Sequence, residues 1–143
     1  MSVEENKATL HRSFDEVWNN RNFSLIPELV SPDYVGTNVF GVVKGVEAYE
    51  QMVKSQTTNM PDLKYTVGEV VGEGDTLMAE ITITGTYTGK LGGLDISGKK
   101  IKGTSVFVNK YVDGKVKEST VYSNPLETLK QLGVTIPPEW GMG

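Results

Sequence analysis

A chain of 143 residues, 38% hydrophobic and 22% charged, is long enough to bury one continuous core and too evenly mixed to be a disordered chain or a membrane protein. Its lack of cysteine excludes disulfides, thiolate nucleophiles and cysteine-held metal centres, and a net charge of −4 with scattered lysines argues against a nucleic-acid partner. No run approaches the roughly 18 apolar residues of a membrane span. The start Met1-Ser2-Val3-Glu4-Glu5-Asn6 has neither the basic region nor the apolar stretch of a signal peptide. The expectation is one domain over residues 1–143, cytoplasmic, with no nucleic-acid or membrane partner.

Leu10, Phe14, Val17 and Trp18 recur at helical spacing with His11, Arg12, Asp15, Glu16 and Asn19 between them, which predicts an amphipathic first helix ending near Asn19-Asn20. Ser24 reads as the N-cap of a shorter helix running through Leu25, Ile26, Leu29 and Val30 to a stop before Pro32. Val46, Tyr49, Met52 and Val53 predict a third helix after Gly45, ending before Asn59-Met60-Pro61. From Leu63 onward β-branched residues alternate, predicting strands at 63–71, 76–89, 99–111 and 115–123. Gly72-Glu73-Gly74-Asp75 and Asp113-Gly114 supply tight turns, and Lys90 to Gly98 reads as a longer loop. Pro125 to Leu132 offers Leu126, Leu129 and Leu132 for a last short helix closed by Gly133, before the tail Ile136-Pro137-Pro138-Glu139-Trp140.

Helices first and consecutive antiparallel strands afterwards form the pattern of an α+β fold with helices on one face of the sheet. Ala79, Ile81, Ile83, Gly85 and Tyr87 share one side of their strand and Glu80, Thr82, Thr84 and Thr86 the other. One face should therefore pack on helices and the other be wetter. A long sheet of this kind bends, and its concave side can hold a ligand.

The order of several pieces resembles the SnoaL-like polyketide cyclases. They are Phe14-Asp15-Glu16-Val17-Trp18-Asn19, Leu29-Val30-Ser31-Pro32-Asp33-Tyr34-Val35, Thr84-Gly85-Thr86-Tyr87-Thr88-Gly89, Asp113-Gly114-Lys115-Val116 with Glu118, and Leu129-Lys130-Gln131-Leu132-Gly133. The resemblance implies a cone-shaped α+β barrel of the nuclear-transport-factor-like superfamily, with helices packed on a curved, mainly antiparallel sheet. It also implies a small-molecule pocket. The departures bear on chemistry. Gly36-Thr37-Asn38-Val39 stands where the family often has a His-containing segment, and Tyr87 takes a histidine's place. Ser119-Thr120-Val121-Tyr122-Ser123-Asn124 replaces the family's His-Trp and following aspartate.

Aldol ring closure needs a base to remove a proton α to a carbonyl and donors to hold the enolate, with no cofactor. Glu118, at the family's glutamate position, is the candidate acid or base; its alternative is a cross-strand ion pair with Lys102 or Lys110. Glu80 and His11 both fall among polar neighbours. No His/Asp/Glu cluster has ligand spacing, so no metal site is expected. Trp18, Tyr34, Phe40, Tyr49, Tyr87, Phe107 and Tyr122 fall on elements that line the cone in the resembled family and suit a small apolar or aromatic ligand. Plain core packing is the alternative for each. Asn38 and Asn124 join Trp18, Tyr34, Tyr49, Tyr87, Phe107 and Tyr122 as candidate ligand-binding residues.

Two readings follow. One is a cofactor-independent enzyme acting on a small carbonyl compound by acid/base chemistry; the other is a non-catalytic binding protein on the same scaffold. A cavity of roughly 300 Å³ or more touched by at least two of Tyr34, Tyr87 and Tyr122 is expected in either case. Thr82, Thr84 and Thr86 with Thr104, Val106 and Val108 form a half-apolar outer face that no helix is left to cover, which predicts a homodimer through that face. Trp140 could anchor on the neighbouring copy or fold back on its own domain.

Overall fold

The computed structural model of the chain describes residues 2–91, 93–135 and 137. Helix α1 (Val3–Arg12) opens with a capping box, the Ser2 hydroxyl accepting from the Glu5 amide and the Glu5 carboxylate accepting from the Ser2 amide. It runs directly into a π-helical turn, Ser13–Asn19, whose wider winding brings Phe14, Val17 and Trp18 onto the buried side. The predicted first helix is therefore two windings ending at the predicted place. Arg21 follows at a φ of 60°, and its guanidinium donates to the carbonyls of Trp18, Pro61 (2.9 Å) and Leu63 (3.2 Å).

The second predicted helix is corrected. A 3₁₀ turn at Phe23–Leu25 leads into α2 (Ile26–Leu29), and the Ser24 hydroxyl donates to Asn22 Oδ1 at 2.7 Å instead of capping the helix. Val30 already belongs to a strand, β1 (Val30–Asn38), which turns into β2 (Gly41–Lys44). Neither strand is visible in the sequence pattern. Helix α3 (Val46–Asn59) lies where expected.

The remaining strands are β3 (Lys64–Glu73), β4 (Thr76–Thr86), β5 (Lys90–Leu91), β6 (Leu94–Asp95), β7 (Lys100–Val112) and β8 (Lys115–Tyr122), followed by α4 (Pro125–Gln131). The predicted loop at 90–98 thus holds the small β5–β6 hairpin.

Six strands form one curved sheet in the order β2-β1-β8-β7-β4-β3. The pairing is antiparallel except between β1 and β8, which run parallel, so the sheet is not a simple meander. Register shifts at Val67/Val70 and Lys110/Tyr111 bend the strands, and β2 and β3 remain open edges. The fold is an α+β cone whose sheet does not close into a full barrel.

The helices cover the inner face, where Leu77, Ala79 and Ile81 are buried against Leu10, Phe14, Val17 and Trp18. On β4 the predicted division of faces is present: Gly85 is buried with Ala79 and Ile81, Ile83 is half-buried, and Glu80 is exposed on the other side. Two amide side chains fasten helices to strand edges. Asn19 Nδ2 donates to the Tyr65 carbonyl and Asn19 Oδ1 accepts from the Tyr65 amide, both at 2.8 Å, on the free edge of β3. Gln131 makes the same pair with the backbone of Lys102, again at 2.8 Å, where β7 runs on past the end of β8.

Replacing Asn19 by alanine leaves both Tyr65 backbone groups without their partner and is expected to cost about 1–3 kcal/mol of stability, read as a lower urea midpoint. An unchanged midpoint would show that the clamp adds nothing.

Candidate functional site

Inside the cone the aromatic residues form a connected set. The π-helical turn supplies Trp18 and Phe14, β1 supplies Tyr34, α3 supplies Tyr49, β3 supplies Tyr65 and β7 supplies Phe107. Tyr34 and Tyr49 meet edge to face with centroids 5.0 Å apart, Trp18 and Tyr65 lie 4.8 Å apart, and Phe14 meets Phe107 edge-on at 5.3 Å. The Trp18 indole donates to the Tyr49 hydroxyl at 3.2 Å, which satisfies two polar groups that burial would otherwise strand.

A polar chain lies beside these rings. The Ser119 hydroxyl donates to Asn109 Oδ1, and Asn109 Nδ2 donates to the Tyr111 hydroxyl at 3.2 Å. The Tyr34 hydroxyl sits against Ser119. A Cβ placed on Gly36 would fall 2.3 Å from that same hydroxyl, so glycine is what lets the Tyr34 ring lie back over its own strand. All four members of the chain are buried. Fully buried Asn6 on α1 is a further interior amide, and among the described residues neither its Oδ1 nor its Nδ2 has a partner.

The sequence candidates divide between the two faces. Trp18, Tyr34, Tyr49 and Phe107 come together inside, and Tyr87 is half-buried at the end of β4 beside Tyr65. Tyr122 instead stands on the outer face, 63% exposed, because strand alternation gives the inward position to Val121. Phe40, 91% exposed in the β1–β2 turn, does not line the cone. Asn38 spends its side-chain oxygen on the Phe40 amide of that turn, and Asn124 caps α4 by accepting from the Glu127 amide. Glu118 is on the outer face with a 55% exposed side chain, 3.6 Å from Lys110 Nζ, which is the cross-strand ion pair foreseen as its alternative. Trp140 lies outside the described residues.

Two surface clefts stand out, one of about 540 Å³ by Asp62, Thr84, Thr86, Lys100, Lys102 and Gln131, and one of about 130 Å³ by Ile26, Pro27, Val46, Glu47 and Glu50. Neither touches Tyr34, Tyr87 or Tyr122, so the expected cavity is not one of them. Among the described residues no three acidic or imidazole side chains gather as a metal site requires. No helix among them is long and apolar enough to cross a membrane.

Residues 8–132 match the model of the SnoaL-like polyketide cyclases. The chain belongs to that family. Two relatives are the nogalonic acid methyl ester cyclase of Streptomyces nogalater, 25% identical with 81% of this chain and 89% of the relative covered, and the aklanonic acid methyl ester cyclase DnrD of Streptomyces peucetius, 22% identical with 92% and 94% covered. A solved SnoaL-like protein from Jannaschia superposes with a TM-score of 0.82 at 23% identity, over 95% of this chain and 98% of that one, a likeness of fold.

In this SnoaL-like chain the interior side chains that sequence reasoning passed over are the polar ones: Ser105, Asn109 and Ser119, with Tyr65 and Tyr111. A signal existed. Ser105, Phe107, Asn109 and Tyr111 alternate along β7, so once Phe107 is placed inside its neighbours two residues away must follow.

Burial pushes the phenols up. Tyr34 is raised despite its contact with Ser119, Tyr49 and Tyr65 are raised further, and Tyr111 reaches about 12. An unfolded tyrosine ionises near pH ~10. The folded state is thus fully favoured below that pH and loses ground as pH climbs above it, since only the unfolded chain gains by ionising. In an alkaline titration the tyrosinate absorbance of these buried rings should rise together with the loss of near-ultraviolet circular dichroism. Their ionisation while that signal stays intact would contradict the burial argument.

Proposed function

We propose that this SnoaL-family protein binds a small aromatic or carbonyl-bearing molecule of polyketide type at the inner face of its cone, and holds it by neutral hydrogen-bonding groups without acid–base turnover of its own. The observation that supports this reading is the chemistry of the buried polar side chains. Among the described residues these are Asn6, Ser31, Thr57, Ser105, Asn109 and Ser119, with the tyrosine hydroxyls beside them, and no carboxylate or imidazole. Hydroxyls and carboxamides orient a carbonyl compound, but phenols with raised pKa are poor bases near neutral pH.

The second reading is a cofactor-independent cyclase using acid/base chemistry on a small carbonyl compound, and kinship with two curated cyclases favours it. Glu118, exposed on the outer face beside Lys110, does not reach the interior, so this reading needs another proton-transfer group. The two readings separate when the protein is given nogalonic acid methyl ester and aklanonic acid methyl ester in turn. Binding without ring closure is expected. Ring closure of either ester would replace the first reading by the second.

A second copy of the chain is the proposed partner of the outer sheet face. Strand register lines up Val42, Thr37, Thr120, Val108, Met78 and Val71 as one row across six strands, with Val42, Met78 and Val71 each half exposed or more. The next row reads Lys44, Val35, Glu118, Lys110, Thr76 and Glu73. A two-fold axis along the strands between β7 and β8 would set Glu118 opposite Lys110 and Lys44 opposite Glu73 while the apolar rows meet. A homodimer burying more than about 1,000 Å² is expected. Light scattering that returns the monomer mass of 15.6 kDa at micromolar concentration would refute it.

A further inference from the structure

Lysines that are scattered along the chain come together at one place on the sheet. Lys64 on β3 pairs with Thr84 on β4, and Thr84 pairs in turn with Lys102 on β7, so the three form one row across the strands. Residues directly opposite one another share a face, and Thr84 falls on the outward side of β4 with Glu80. In the adjoining row Thr86 pairs with Lys100. Thr84, Thr86, Lys100 and Lys102 line the cleft of about 540 Å³, with Asp62 on the β3 side and Gln131 at the free edge of β7. A volume of that order is ordinary for a small-molecule site.

The positive charge of this cleft is not matched from within. Among the described residues the ion pairs take up Lys7, Arg12, Lys54, Lys110 and Lys117, and none includes Lys64, Lys100 or Lys102. The one carboxylate on the lining belongs to Asp62. Both its oxygens are committed to Thr86, Oδ1 accepting from the amide and Oδ2 from the hydroxyl, each at 2.8 Å. Those bonds first, and Lys100 from further off, hold the Asp62 carboxyl below its usual range. Gln131 fixes the other side: its amide holds both backbone groups of Lys102 at 2.8 Å and so steadies the strand that carries two of the lysines. The chain as a whole has a net charge of −4, so an anion is drawn to this end and repelled over much of the remaining surface.

We infer that this cleft binds a small organic diphosphate, with Lys64, Lys100 and Lys102 as its cationic groups and Thr84 as the hydroxyl donor between them. Lys100 and Lys102 rise about 7 Å apart along β7, and Lys64 stands about 10 Å from Lys102 across β4. Two linked phosphates cover that spread better than one. A concave lining favours a small molecule over an acidic protein surface, and the fixed charge of Asp62 at the rim would repel a broad acidic surface. From Lys102 to Lys110, in the charged row proposed to face a second copy, is roughly 26 Å along β7. The cleft is therefore separate from that row, and it lies on the other face of the sheet from the aromatic interior.

The probe is inorganic pyrophosphate, titrated into the full chain by calorimetry at low salt, with inorganic phosphate as the single-phosphate comparison. Pyrophosphate should bind at least about tenfold more tightly than phosphate and lose affinity as salt is raised. Lys100→Gln and Lys102→Gln should each weaken it about fivefold, as the loss of one exposed charge pair would, and the double substitution about twenty-fivefold. Both lysines are exposed, so these changes spare the core. Lys7→Gln removes the same charge from α1, where Lys7 lies 3.6 Å from Glu4, and should leave pyrophosphate binding unchanged. Absence of pyrophosphate binding, equal binding of phosphate, or equal weakening by Lys7→Gln and by the cleft substitutions overturns the diphosphate site and leaves the interior binding reading untouched. Binding of a polyglutamate peptide through Lys100 and Lys102, with none of pyrophosphate, also overturns it and gives the cleft to an acidic polypeptide.

Discussion

Everything in this fold depends on how a strand edge is satisfied when no further strand is there to pair with it. An open edge presents amide and carbonyl groups in the spacing of a peptide, and a carboxamide side chain is the one side chain that offers a donor and an acceptor in the same spacing. The chain uses it twice. Asn19 takes the place of a missing strand beside Tyr65, and Gln131 does so beside Lys102. Because Asn19 is the last residue of the π-helical turn, that pairing also sets the height and rotation at which Trp18 and Phe14 reach the sheet. Arg21 strengthens the same corner by collecting the carbonyls at the entry to β3. The position of the aromatic interior is therefore decided at the rim of the sheet and only afterwards filled by packing.

Charge is sorted by face as strictly as apolarity is. The outer face carries Glu118, Lys110 and Glu80, and the ion pairs of the described residues involve partly or well exposed side chains. The inner face has hydroxyls, amides and rings. Burying an unpaired charge costs far more than burying a hydrogen-bonded hydroxyl, so an interior built only from neutral groups is the inexpensive way to keep polarity inside a small cone. Such an interior gives direction to a bound carbonyl while contributing little to proton transfer. That is why membership of a cyclase family and the composition of this interior pull in different directions.

Much of the architecture is legible in the residues themselves. Helix α3 announces itself through Val46, Tyr49 and Val53, and β4 through the alternation of Ala79 and Ile81 with Glu80 and Thr82. Strands β1 and β2 are not legible, because Pro32 and Gly36 break the pattern and the pairing that stabilises β1 comes from β8, more than eighty positions away in the chain. Pro32 sits where the register with β8 shifts between Val30 and Val35, one of the few places a sheet accepts proline. At the site the family resemblance points to Trp18, Tyr34, Tyr49 and Phe107, which lie inside, and also to Phe40 and Tyr122, which a turn and one step of strand alternation leave outside. Ser105, Asn109 and Ser119 carry no ionisable group, and only strand alternation marks them as inward.

The contact between Tyr34 and Gly36 has a consequence for how such a chain can change over generations. With the phenol folded back so that a Cβ at position 36 would lie 2.3 Å from its oxygen, the two positions are not free to vary one at a time. Any side chain at 36 first requires the ring to swing off the strand, and the ring is boxed in by Tyr49 and hydrogen-bonded toward Ser119. A lineage that acquires a larger residue at 36 must therefore also replace or rebuild its tyrosine at 34, and a lineage that keeps this tyrosine in this pose keeps the glycine with it.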